Sequence, residues 1–203
     1  MMTPLLLWLH DYLQRRGYIS LGRAARNLER SDSSVRPTVL VCGFGRVGQT
    51  VCQMLDAQNI PYLAIDLDID AVMMGREMGF NVVYGNTTNR DVLVDLGLRP
   101  RGIKSVVVAL DNASTARQTI MTIKTIAPRI KIFARARNLA DAKMLMSQGV
   151  ASAMPETIES SLFLGYSVLD FLGVPERKIE KLLSEIRSDD YACLSAIISD
   201  KHE

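Results

Sequence analysis

The sequence predicts an α/β fold: a doubly wound parallel sheet of about six strands, followed by a long helix and a helical tail. Three observations carry that expectation. From Pro37 onward, short β-rich runs alternate with longer stretches that place apolar residues at three- and four-residue steps. The connections between them are short, as such folds require. The first run leads straight into "GFGRVG", three glycines in six positions between a strand and a helix.

The strands are read in order as "TVLVCG", "YLAID", "NVVYG", "SVVVAL", "KIFARA" and a weak "ASAM". Between them "RVGQTVCQMLDAQN", "DIDAVMMGREMG", "NRDVLVDLG", "NASTARQTIMTIKTIAP" and "NLADAKMLMSQG" read as helices, several of which stop at Gly or Pro. Met73, Met74, Met78, Met144 and Met146 are expected to fill the core on helices facing the sheet. "PETIESSLFLGYSVLDFLGV" reads as one helix, with Pro155 at its start, acidic residues in its first turn and Gly173 at its end. Its apolar residues Ile158, Leu162, Phe163, Tyr166, Val168, Leu169 and Leu172 spread over more than one face, so it must be covered on several sides, and a second subunit is the expected cover. From Pro175 a charged, helical pattern continues to about Ile186 and then becomes ill-defined.

The glycine run has the form G-x-G-x-x-G, the fingerprint of a Rossmann-like nucleotide site. Gly43 would allow the tight turn, Gly45 would let a pyrophosphate approach the main chain, and Gly48 would let the helix lie close to the sheet. Helix amides beginning near Arg46 would point at the phosphates, and Arg46 adds a full positive charge. Asp66, ending the second strand, stands at the spacing of the acid that binds ribose hydroxyls and repels a 2′-phosphate. The site should therefore prefer NAD or another adenosine nucleotide over NADP. Asp68 is read either as an aid to that acid or as a helix cap. The competing reading of the whole run is a fold that keeps its glycines for packing alone.

Composition narrows the function. The 24 basic and 22 acidic residues leave a formal charge of +2, which disfavours a main role in binding nucleic acid. Cys42, Cys52 and Cys193 have neither CxxC nor metal spacing, so no metal site is expected and a reducing compartment fits; Cys42 and Cys52 look core-facing and unreactive. No run approaches the roughly 20 apolar residues of a membrane helix. "PLLLWL" and the basic stretch after it are open to two readings: an amphipathic helix, or the cytoplasmic end of a membrane helix whose earlier part is absent. A dehydrogenase would need a substrate region and a proton donor or acceptor. His10 and His202 lie at the extreme ends, and no Ser, Tyr and Lys arrangement stands at a suitable spacing. No catalytic residue is therefore assigned, and the nucleotide is read as a signal.

Taken together, "VCGFGRVGQ", "AIDLD", "GFNVVYGN", "VVVALDN", "IFARARN" and "MPETIESSLFLG" resemble the RCK, or TrkA-N, regulatory domain of potassium transport systems. Within that family they are most similar to the cytosolic domain of Kef-type potassium/proton antiporters, including plant chloroplast relatives. The resemblance covers about Pro37 to Val174 and divides the chain into a membrane-helix end and linker (1–36), a nucleotide-binding domain (37–154), a crossover dimerisation helix (155–174) and a helical tail (175–203).

It implies a homodimer at the cytosolic or stromal face of a membrane, binding NAD(H) or AMP, ADP or ATP and adjusting potassium efflux coupled to proton entry. By position it assigns Gly43, Phe44, Gly45, Arg46, Val47 and Gly48 to phosphate, and Asp66 with Asp68 to ribose. Asn86 and Thr87 fall where relatives contact the base, although many relatives have Asp in place of Asn86. Asp111 and Asn112 face the cleft, with a helix cap as the other reading of Asn112. Arg135 and Arg137 fall where relatives form a cleft between subunits for glutathione or its adducts; the other reading is a pairing of one arginine with a nearby carboxylate at the dimer seam. Two alternatives stand beside the antiporter: a free-standing regulatory subunit of a potassium uptake system or channel, and a soluble NAD-dependent oxidoreductase.

Overall fold

A computed structural model describes residues 36–99, 102–188 and 191. The expected membrane-helix end and linker lie outside the described residues except for Arg36, as do His10, His202, Cys193 and the tail beyond Tyr191. The chain divides into two compact units, the first ending at Ala134 and the second starting at Arg135.

Within the first unit the chain runs β1 (Val39–Cys42), α1 (Arg46–Ala57), β2 (Tyr62–Asp66), α2 (Ile69–Glu77), β3 (Val82–Tyr84), α3 (Arg90–Asp95), β4 (Ser105–Val108) and α4 (Ala113–Ile126), then enters β5 (Lys131–Ala136). The second unit takes over inside β5 and continues as α5 (Leu139–Ser147), β6 (Ser152–Pro155), α6 (Glu156–Phe171) and α7 (Glu176–Ser188). The six strands form one sheet in the order β3-β2-β1-β4-β5-β6, and every pairing described in register is parallel. All six expected strands and the helices between them are present.

Parallel strands joined by helical crossovers are covered on both faces, so they read as continuous apolar runs. Val39, Leu40, Val41 and Cys42 of β1 are all buried, and so are Tyr62 to Ile65 of β2. Each fully buried aliphatic side chain of this kind contributes about 1.5–3 kcal/mol relative to exposure. Three helices of this unit start on the side chain that local chemistry favours. Asp68 accepts from the Asp70 and Ala71 amides, Asn89 from Asp91 and Val92, and Asn112 from Thr115.

The methionines correct one expectation. Val72 and Gly75 form the buried stripe of α2, whereas Met73, Met74 and Met78 are each more than half exposed. At 100° per residue, Met73 and Met74 turn away from a stripe set by Val72, and Met78 stands past the last helical residue. On α5 the buried residues are Ala142 and Leu145, Met146 is exposed and Met144 is half-buried.

In the second unit, α6 buries Ile158 and Leu162 while Phe163, Leu164, Val168, Phe171 and Leu172 stay exposed. Gly173 closes the helix at φ +77°, a left-handed conformation that suits glycine. The charged segment after it forms α7, anchored by Ile179, which is 1% exposed. Its last turn is tied to the first turn of α6. Arg187 donates from Nε to Glu159 Oε1 at 3.1 Å and from Nη2 to Oε2 at 2.7 Å, and the Tyr191 hydroxyl donates to Glu159 Oε1 at 2.7 Å.

The Arg187 hydrogen bonds, with that of Tyr191, hold the Glu159 carboxyl below its ordinary pKa. A group whose folded pKa is depressed stabilises fully above its unfolded pKa, about 4.3 for Glu, and that contribution fades as pH falls through the folded value. Glu159→Gln should therefore lower the urea midpoint at pH 6, and the gap from wild type should narrow at pH 3.

Candidate functional site

The glycine run begins where β1 stops. Gly43 takes φ +102° while its amide donates to the Ile65 carbonyl at 2.9 Å, so the chain turns sharply yet stays tied to β2. At Gly48 the constraint is space, because a Cβ there would lie 2.0 Å from the Gly43 carbonyl oxygen. Both positions are explained by the protein's own packing. Gly45 is different. Its φ of −72° and ψ of −167° are extended backbone open to any residue, it is exposed, and a Cβ would meet nothing within 4 Å. Nothing in the described fold requires a glycine there.

Gly45 caps α1, whose first turn holds no acidic side chain, and Arg46 is exposed at the first helical position. Open helix amides and a cation thus stand together at the loop, the arrangement that favours a phosphate. Val47 is half-buried behind them. Gln49, which sequence reading passed over, ties the loop down: its Nε2 donates to the Phe44 carbonyl at 3.0 Å and its amide to the Gly45 carbonyl at 2.9 Å. Its place directly after the third glycine was the only cue.

Asp66 ends β2 and reaches back to the loop. Its Oδ2 accepts from the Phe44 amide at 2.5 Å and its Oδ1 from the Asp68 amide at 2.9 Å. A carboxylate offers about four lone-pair sites, so acceptor capacity for a diol remains on both oxygens. Asp68 is exposed, and its Oδ1 caps α2 at 3.0 and 3.2 Å from the Asp70 and Ala71 amides. The Phe44 side chain points the other way. It is fully buried, packs edge-on against Phe80 at 5.3 Å between centroids, and lies where a Cβ on Gly75 would come 2.3 Å from its Cε1. A ligand contact from Phe44 is therefore limited to its main chain, whose amide Asp66 already engages.

The other strand ends gather around this corner. The Gly85 amide donates to the Asp66 carbonyl at 2.8 Å, bringing the end of β3 to β2. Asn86 is exposed there, its Oδ1 accepting from the Thr88 amide and hydroxyl at 2.9 and 2.8 Å. Thr87 is 3% exposed and its hydroxyl pairs with that of Thr119 at 2.9 Å, inward against α4. Its main chain is the part of Thr87 that stays at the strand ends. On the other side of β1, the Ala109 amide donates to the Cys42 carbonyl at 2.8 Å, and Asp111 and Asn112 follow exposed, Asn112 capping α4 at 3.0 Å.

Arg135 belongs to the second unit, where its Nε donates to Glu156 Oε2 at 2.5 Å. Arg137 pairs with Asp141 at 3.2 Å. Both arginines engage carboxylates within that unit. Cys42 and Cys52 are fully buried, and burial pushes both thiols up to about 12, so neither carries appreciable thiolate near neutral pH. Among the described residues no cluster of His, Cys, Asp or Glu could hold a metal ion, and no helix is long and apolar enough to cross a membrane.

Residues 39–155 match the family described as the TrkA-N domain. The putative K(+) efflux antiporter KefB of Alkalimonas amylolytica is 32% identical over 178 residues, 86% of this chain and 27% of its own length. The chain thus spans about a quarter of that relative. Among solved structures, the Shewanella denitrificans Kef CTD in its AMP-bound form is 27% identical with a TM-score of 0.64, covering 79% of this chain and 97% of that one. The GsuK channel bound to NAD matches at 21% identity and a TM-score of 0.59, over 77% of this chain and 29% of that one, a likeness of fold alone.

Phe44 locks the loop to α2 only while Gly75 leaves room for its ring. Gly75→Ala should destabilise the chain by about 1–3 kcal/mol through overpacking, although alanine is the better helix former by about 1 kcal/mol. Urea unfolding measures the balance, and a variant as stable as wild type would mean that the ring can shift.

Proposed function

Because the chain belongs to the TrkA-N domain family, we propose that it is the nucleotide-sensing regulatory part of a potassium/proton antiporter. The proposed site lies at the carboxyl ends of β1 to β4, beside the point where the order of this sheet reverses at β1, the usual ligand position in such folds. The observation that carries the reading is Gly45. Gly43 and Gly48 serve the fold itself, whereas Gly45 lies open with no internal reason to lack a side chain, as expected where a phosphate must approach the backbone.

In this reading, phosphate rests against the amides of the loop and the first turn of α1, with Arg46 neutralising it. Asp66 accepts from the ribose diol on its remaining lone pairs while holding Phe44 and Asp68 in place. Asp68 assists through its second oxygen, and Asn86, the main chain at Thr87, Asp111 and Asn112 border the base and ribose. An adenine nucleotide, AMP foremost, is the proposed ligand, supported by the AMP-bound relative; NAD(H) is the competitor, since the same corner accepts its ADP half. Binding is proposed to adjust potassium efflux and not to drive a reaction on the nucleotide. The remainder of an antiporter of KefB's length would supply the membrane pathway, placing this part on the cytosolic or stromal side.

The exposed row Phe163, Leu164, Val168, Phe171 and Leu172 supports a homodimer through α6, since contiguous apolar surface of this kind marks association sites. Arg135 and Arg137 remain candidates for a small anionic effector only if it displaces Glu156 or Asp141.

Calorimetric titration with AMP, ADP, ATP, NAD and NADH tests the nucleotide site. Gly45→Val should keep the unfolding midpoint while weakening the best ligand by about tenfold or more. Asp66→Ala should weaken it as well and also loosen the loop. Wild-type affinity in Gly45→Val would sink the proposal. For the dimer, Phe163→Glu with Phe171→Glu should halve the sedimenting mass, because burying two carboxylates costs several kcal/mol; an unchanged mass would place the interface elsewhere.

A further inference from the structure

At the amino ends of the strands, opposite the glycine loop, the first unit has a second opening. It measures about 660 Å³, within the usual range of small-molecule sites, roughly 300–1,000 Å³. It sits where the chain enters β4 at Lys104 and β5 at Ile130, with the end of α4 beside it. Ile103, Ala127 and Ile130 line it and are buried, giving it an apolar floor. Arg99, Lys104 and Arg129 also line it and are exposed. Among the described residues none that lines it is acidic, and no ion pair engages these three cations.

Its surroundings deepen that charge. Lys124 on α4 donates from Nζ to the carbonyls of Pro128 and Ile130, at 3.5 and 3.4 Å, adding a cation beside the opening and engaging two backbone acceptors. The Gly102 amide donates to the Arg99 carbonyl at 3.0 Å and the Lys104 amide to the Thr38 carbonyl at 2.8 Å. Lys104 and Ile130 thus stand at the entries of two core strands.

We propose that this opening is a second ligand site, for a small organic anion with a phosphate head and an apolar body. Two guanidinium groups offer the planar forks that suit phosphate oxygens, and the ammonium of Lys104 adds a third positive charge. The floor of Ile103, Ala127 and Ile130 takes the apolar part, a distinction that a purely electrostatic surface would not make. The site is separate from the glycine loop and does not rest on the nucleotide reading.

The test is an amide-shift titration of the isotope-labelled full chain with phenyl phosphate and, separately, with inorganic phosphate. Saturable shifts at Gly102, Ile103 and Ile130, with phenyl phosphate bound more tightly than phosphate, are expected. Lys104→Ala with Arg129→Ala, both exposed positions, should weaken binding by about tenfold while leaving the other amide shifts in place. If that pair disturbs the spectrum, Lys104→Gln with Arg129→Gln makes the same comparison. Shifts confined to Gly43–Gly48, equal affinity for the two probes, no saturation, or full affinity in the folded variant would each overturn the proposal.

Discussion

The candidate site depends on one carboxylate. Asp66 accepts from the Phe44 amide with one oxygen and from the Asp68 amide with the other, so one side chain fixes both the glycine loop after β1 and the start of α2 after β2. Hydrogen bonds to an ionised acceptor are about twice as strong as neutral ones. Without them, the two turns would lose the one side chain that bonds to both, leaving Gln49 on the loop and the Asp68 cap on α2 to act separately. The arrangement gives the loop its shape before any ligand arrives, and preorganisation of that kind reduces the ordering cost of binding.

Phe44 completes the lock from below. A residue between two glycines would be free to swing, but its ring is buried against Phe80 and above Gly75, in the same cluster as Val41, Ala64, Val72 and Val82. Strand β1, helix α2 and the loop therefore share one packed region, and a disturbance at the loop reaches α2 through rigid contacts. In the proposed regulatory role, such coupling is what would let occupancy alter something beyond the site.

The second unit is stabilised differently. In it Glu156 pairs with Arg135, Asp141 with Arg137, and Glu159 with Arg187 and Tyr191, while its apolar surplus stands on the exposed face of α6. Polar pairs tie its elements together, and the row of aromatic and aliphatic side chains on α6 stays uncovered.

Much of this was legible in the sequence because it is periodic and local. Six apolar runs separated by helical spacing fixed the parallel sheet, and three glycines and an aspartate at set distances located the corner where strand ends meet. Helix caps at Asp68 and Asn112 were likewise readable, since a cap bonds within its own turn. Tertiary packing decided what spacing cannot encode. It turned Thr87 inward to Thr119, 32 residues away, and set Met73 and Met74 outward by placing Val72 and Gly75 on the buried stripe. It also separated Gly45, which the fold does not need, from Gly43 and Gly48, which it does. Those outcomes depend on which atoms of distant segments meet, and a one-dimensional pattern carries residue type and interval but not the partner across the core.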